Sequence, residues 1–244
     1  MNYDKRIVFD NKEQAKHDLI QKTLNKILNR FKIKVHVTTL LNNGTDMVSQ
    51  YQRLNFFHLL NRVLNTGVQG DIVELGCFDG QIATMFQHIN EDNKAGRKLY
   101  LFDNFKNDFG LNESIKDRLI HNFKSRNLTM PEIIEGDFKD TLHQSLPSKI
   151  CFAHLDSGIG KDPLKHKKII LHCLENVYPR MQDGAICVLM DYYDSERTIE
   201  GVNSNPGVKL ACDEFFKDKK EEVFTMYGGP YTHGYFIKGF RLSA

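Results

Sequence analysis

The chain has 244 residues, of which 41% are hydrophobic and 26% charged, and its formal net charge is +2. This length suits one domain, or one domain with a small cap, and the charge balance excludes the basic field of a nucleic-acid binder. No apolar run is long enough to span a membrane and the N-terminus lacks a signal-peptide stretch, while the five cysteines (Cys77, Cys151, Cys173, Cys187 and Cys212) are widely spaced without C-x-x-C, so neither a disulfide framework nor a zinc site is expected and the reading is of a cytoplasmic protein with no membrane partner.

Residues 1–68 are polar and helix-biased and read as an N-terminal helical cap. Within them Met47, Tyr51, Leu54, Phe57, Leu60 and Val63 recur at helical spacing, which predicts a helix with one apolar face. Gly67 is suited to end that helix in the left-handed conformation. From residue 69 to 244 the pattern changes. Short apolar runs at 71–75, 98–103, 132–135, 150–156, 185–191, 222–226 and 234–238 read as strands. Helical patterns lie near 80–90, 112–127, 138–145, 163–178 and 206–217. Buried strands separated by helices predict an α/β, Rossmann-like fold: a seven-stranded, mostly parallel sheet with helices on both faces.

Four strands finish with an acid or lead into an acidic turn: Glu74 in the first, Asp103 in the second, Asp156 in the fourth, Asp191 in the fifth. In open α/β sheets ligands bind outside the carboxyl ends of the strands, so these acids are expected to converge on one rim. Aspartate after a strand also has an ordinary structural role as a helix cap; four acids at one sheet edge favour a ligand site.

The first turn runs from Gly76 through Cys77, Phe78 and Asp79 to Gly80. Gly76 permits a tight turn and a close approach, and Gly80 opens the next helix, whose free amides suit an anion or polar ligand. The dinucleotide pattern G-x-G-x-x-G is broken here, and no P-loop occurs, which argues against a nicotinamide oxidoreductase and a P-loop NTPase. Asp103, 23 residues past Gly80, is placed to accept hydrogen bonds from two ribose hydroxyls. Glu74, in a buried strand, needs donors or a cation, and S-adenosylmethionine carries both an ammonium and a sulfonium.

These residues resemble class I S-adenosylmethionine-dependent methyltransferases, and more narrowly the macrocin O-methyltransferase family, which methylates sugar hydroxyls of natural products. The matching pieces are residues 70–80, Phe102 to Phe105, Glu135 to Leu142, Leu155-Asp156, Val177 to Pro179, Asp183-Gly184 and Asp191-Tyr192. The resemblance implies that Glu74, Gly76, Phe78 and Gly80 line the methionine end of the cofactor. It places Asp103 at the ribose with Asn104 and Phe105 beside it, and Asp137 and Phe138 at the adenine. Asp156 would sit where the methyl group meets the acceptor, and residues 40–60, with Met47 against the cofactor, would form a lid. It further implies a homodimer and a divalent metal, usually magnesium, on Asp156 and Asp191.

The metal pattern departs from the family. Asp-Gly-Asp is replaced by Asp156-Ser157-Gly158, and the paired acids after the fifth strand are Met190-Asp191. One ligand is therefore missing, though magnesium commonly keeps several waters. Asp156 is the first candidate for the general base or a metal ligand, and Asp191 the second for the metal. His233, expected on a loop before the last strand, is an alternative base, since histidine titrates near neutrality; a solvent-exposed loop histidine is its simpler reading. His154 shares a side of its strand with Asp156 and reads as a core histidine. The function expected is O-methylation of a small-molecule hydroxyl; the alternative is a divergent, non-catalytic protein that binds the cofactor only.

Overall fold

The computed structural model describes residues 14–35, 37, 48–108, 110–158, 162–198, 201–228 and 232–240. The chain divides into two compact units, Met1–Met47 and Val48–Ala244. In the first, helix α1 (Gln14–Arg30) is followed by a chain segment fastened by Asn25, whose side chain donates to the Val37 carbonyl at 2.8 Å and accepts from its N–H at 2.7 Å.

The second unit opens with helix α2 (Gln50–Asn65). Ser49 and Gln52 close its N-terminus as a reciprocal capping box, satisfying two amides that the first turn leaves free. Phe56 and Leu60 on its apolar face are fully buried. There follow β1 (Asp71–Leu75), α3 (Gln81–Asp92), β2 (Leu99–Asp103), α4 (Ile115–Ser125), β3 (Glu132–Glu135), α5 (Phe138–Ser145) and β4 (Ile150–Leu155). Then come α6 (Pro163–Val177), a short 3-10 turn (Tyr178–Arg180), β5 (Met181–Met190), α7 (Gly207–Phe215), β6 (Phe224–Met226) and β7 (His233–Ile237).

The seven strands form one sheet in the order β3-β2-β1-β4-β5-β7-β6. The first five strands in that order run parallel; β7 runs antiparallel to both β5 and β6. This is the Rossmann-like architecture expected from the strand and helix pattern. Side chains alternate across the sheet. Ile72, Leu101, Phe152 and Val188 pack on one face with Phe56, Phe86 and Phe123. Val73, Phe102, Ala153 and Leu189 pack on the other with Leu142, Ile170 and Leu174. Each large side chain so buried contributes roughly 1.5–3 kcal/mol.

The boundaries of β5 and β7 are among those that differ from the sequence expectation. β5 begins at Met181, four residues early, because Met181 pairs in register with Ile150 at the sheet's lower edge. β7 begins at His233, which pairs with both Met190 and Met226 and is 0% exposed. His233 is thus a buried strand residue and does not lie on a solvent loop; the Gly-rich sequence before it concealed the start of the strand.

The strand order reverses between β1 and β4, and there the chain leaves both strands in contact. Asp156 N–H donates to the Leu75 carbonyl and Gly76 N–H to the Phe102 carbonyl, each at 2.8 Å. Gly76 has φ +84, and a Cβ on it would lie 1.7 Å from the Asp156 carbonyl oxygen. The close approach that Gly76 permits is therefore made by the chain's own backbone, so this glycine locks the loop after β1 to the loop after β4.

Among the described residues no helix is long and apolar enough to cross a membrane.

Candidate functional site

Glu74, Asp103, Asp156 and Asp191 stand at or just past the carboxyl ends of β1, β2, β4 and β5. They feel one another. Burial pushes the Asp156 carboxyl up to about 7; His154 opposes that rise, while Asp191, Glu74 and Asp103 add to it. Burial also raises Glu74, with Asp103 contributing, and raises Asp191. Four acids gathered in a partly dry site repel one another and favour a cation among them.

Three of the four acidic strand ends, those of β1, β2 and β5, are followed or formed by strained backbone. Phe78, Phe105 and Asp191 have φ of 46°, 52° and 58°, a left-handed conformation uncommon outside glycine and asparagine. Such strain collects at functional sites, where surrounding contacts hold it in place. Asp103 holds two of these three residues. Its Oδ2 accepts from Phe78 N–H and its Oδ1 from Phe105 N–H, both at 2.9 Å. A carboxylate offers about four acceptor sites, so about two remain for ribose hydroxyls. Phe78 lies in the turn between Gly76 and Gly80. Gly80, at φ +79, is the N-cap of α3, and its Cα packs against α4, where an added Cβ would meet Leu119 at 3.0 Å.

The neighbouring positions have structural duties that the sequence did not announce. Asn104 accepts from Lys106 N–H at 2.9 Å, and Phe105 packs on the α2–α3 core. Asp137 is the N-cap of α5, accepting from Lys139 N–H at 2.9 Å, and Phe138 packs against the opposite core. Capping alone accounts for an aspartate at 137. Met47 lies outside the described residues.

Glu74 and His154 are cross-strand neighbours on β1 and β4 and point to the same face. His154 Nδ1 lies 2.9 Å from Glu74 Oε1, with side chains only 1% and 2% exposed. Among the described residues, Glu74 Oε2 and His154 Nε2 have no hydrogen-bond partner. The His154 ring packs against Phe56 and Phe86 at centroid separations of 5.0 and 5.6 Å, and those two rings lie 6.1 Å from each other. Phe56 also packs on His233, at 5.6 Å. Asn55 Nδ2 donates to the Tyr227 carbonyl at 2.9 Å and lies 3.0 Å from His233 Nε2. That second contact makes Nε2 the acceptor and puts the His233 proton on Nδ1. Burial and the nearby His154 drive the His233 pKa down to about 3, so this ring stays neutral. The pairing of His154 with Glu74 was hidden in sequence, since the two are 80 positions apart; an acid and a histidine inside two apolar strands were the available signal.

At the β5 end, Asn205 Nδ2 donates to Asp191 Oδ2 at 2.6 Å. The buried His166 of α6 is also within reach of the Asp191 charge, and burial lowers its pKa. Neither Asn205 nor His166 carried a sequence signal. Among the described residues no group of three His, Cys, Asp or Glu side chains is placed to hold a metal ion. Of the two carboxylates expected to bind magnesium, Asp191 has one oxygen engaged by Asn205, and no third ligand stands with them among the described residues. This donor set does not fit a resident divalent ion.

Residues 73–192 match the profile of a family described as Methyltransferase domain. That span runs from β1 to the residues just past β5 and contains all four rim acids. No curated protein matches the sequence. Solved structures share the fold. The O-methyltransferase NovP aligns with TM-score 0.61 and 18% identity over 77% of this chain and 79% of its own. CalS11, a TDP-rhamnose 3'-O-methyltransferase of calicheamicin biosynthesis, gives 0.58 and 18% over 96% and 97%. A methyltransferase from Podospora anserina, solved with S-adenosylhomocysteine bound, gives 0.57 and 12% over 89% and 95%.

Proposed function

We propose that the chain is an S-adenosylmethionine-dependent O-methyltransferase acting on a hydroxyl of a small molecule, of the sugar or natural-product class. The observation that carries this reading is the convergence of Glu74, Asp103 and Asp156 at the switch between β1 and β4, with Glu74 Oε2 buried and without a partner. A ligand with two positive centres and a ribose meets each of these demands. The methyltransferase-domain match and the O-methyltransferase neighbours support the same reading.

Bound S-adenosylmethionine supplies a methyl group on a positively charged sulfur, ready for in-line displacement. The chain's part is to bind, align and move one proton. Glu74 would meet the ammonium and Asp103 the ribose, with Gly76, Phe78 and Gly80 shaping the turn around the methionine end. Asn104 and Phe105 would stand beside the ribose, and Asp137 and Phe138 at the adenine edge. Alignment of this kind supplies roughly 7–11 kcal/mol in well-oriented systems. Asp156 would take the acceptor's hydroxyl proton as the oxygen bonds to the methyl carbon and the sulfur leaves as a neutral thioether. A carboxyl titrating at about 7 is matched to that task at neutral pH. This also favours a catalytic protein over one that only binds the cofactor. The neutral, buried His233 is not assigned the base; it packs with Phe56 behind the site. No step is routed through a metal, and Asp191 is assigned to fixing the loop that Asn205 belongs to.

Calorimetric titration with S-adenosylhomocysteine tests the site. Asp103→Ala should weaken binding at least about tenfold, or about 1.4 kcal/mol, because two ribose contacts and two loop tethers go together. Unchanged affinity in that variant would remove Asp103 from the site. Wild-type protein that ignores S-adenosylhomocysteine would overturn the proposed function.

A further inference from the structure

We propose that His154 is a positioning residue, holding Glu74 so that one carboxylate oxygen is presented to the ligand's α-ammonium. This rests on the cofactor reading above and assigns a role to a residue that the turn motif does not include.

The geometry supports it at each step. His154 and Glu74 are paired in register on adjacent parallel strands, so their side chains rise from the same face side by side. The imidazole is buried and packs against the rings of Phe56 and Phe86. Its Nδ1–H donates to Oε1 at 2.9 Å, which ties one carboxylate oxygen and leaves Oε2 the buried, unpartnered one. A carboxylate with a single donor is under-satisfied in a dry site, and one more charge-assisted contact is worth more there than in water. Asp103 adds a second negative charge nearby, so the missing partner should be cationic. Without the imidazole both Glu74 oxygens would be orphaned, and the side chain would take up a proton or another rotamer, losing its grip on an ammonium.

The test compares two ligands that differ only at the amino-acid end. S-adenosylhomocysteine carries the ammonium; 5'-methylthioadenosine keeps the adenosine and sulfur and lacks it. Calorimetry should show His154→Leu weakening S-adenosylhomocysteine about tenfold or more while 5'-methylthioadenosine stays within about twofold. His154→Asn, whose amide N–H can replace Nδ1–H, should recover S-adenosylhomocysteine binding to within about threefold of wild type. Equal loss of both ligands in His154→Leu, or unchanged binding of both, would overturn the positioning role, as would failure of His154→Asn to recover. Those outcomes leave the cofactor site standing, because wild-type protein still binds both ligands. Wild-type protein that binds neither would instead sink the cofactor reading, and this inference with it.

Discussion

Asp156→Asn is expected to lower kcat by roughly 10²–10⁴-fold, the usual worth of a positioned general base, while S-adenosylhomocysteine affinity changes only a few-fold. The substitution keeps the side chain's shape and removes its ability to hold a proton taken from the acceptor. In wild-type protein kcat/KM should rise with pH and level off above about 7, where the Asp156 carboxyl titrates, and that limb should vanish in the variant. Folding stability gives an independent reading of the same group. Its ordinary pKa in an unfolded chain is about 3.9, and the fold raises it, so folding favours the neutral form. That contribution is full below about pH 4 and is lost as pH rises through about 7. An asparagine is neutral at every pH. The ligand-free variant should therefore melt above wild type at pH 8, by about 2–4 °C for each kcal/mol regained, and close to it at pH 4. A variant that melts lower at pH 8 would mean that the ionised carboxylate is already stabilised within the protein, which removes the raised pKa on which its assignment as the base rests. Full turnover in Asp156→Asn would assign the base elsewhere.

Gly76→Ala should cost above about 4 kcal/mol and prevent isolation of folded protein. Two effects add. The residue sits at φ +84, where an alanine is strained by about 1–2 kcal/mol. The new Cβ would also lie 1.7 Å from the Asp156 carbonyl oxygen and 2.8 Å from its carbonyl carbon, both backbone atoms that cannot rotate away. Relief requires separating the ends of β1 and β4, which breaks the Asp156–Leu75 hydrogen bond and displaces the proposed base. Gly158→Ala is the control: among the described residues nothing lies within 4 Å of its Cβ position, so its melting temperature should stay within a degree or two of wild type, about 0.5 kcal/mol. Chemical denaturation of both variants checks the pair. A Gly76→Ala protein as stable as wild type would show that the two strand ends can part freely.

The comparison of sequence with structure is sharpest at the histidines. Hydrophobic runs of strand length, separated by amphipathic helices, suffice to announce an alternating α/β sheet, because each strand buried on both faces must be apolar and each crossover must be covered. The same local rules placed Glu74, Asp103, Asp156 and Asp191 at the ends of their strands, and strand ends in a parallel sheet share one rim. Local pattern could not report which atoms meet across the sheet. The Glu74–His154 pair depends on the register between β1 and β4, and the burial of His233 depends on β7 entering between β5 and β6. The Asn205–Asp191 contact depends on where a loop returns. The two glycines of the turn were visible as residues needing unusual backbone, yet only the packed structure showed that the space beside Gly76 is filled by Asp156 backbone and that beside Gly80 by Leu119. Periodicity and residue type are properties of neighbours in the chain, so the fold class and the rim were legible before folding was considered. Register, burial and proton placement are properties of residues up to 80 and 178 positions apart, and they emerge only when the chain packs.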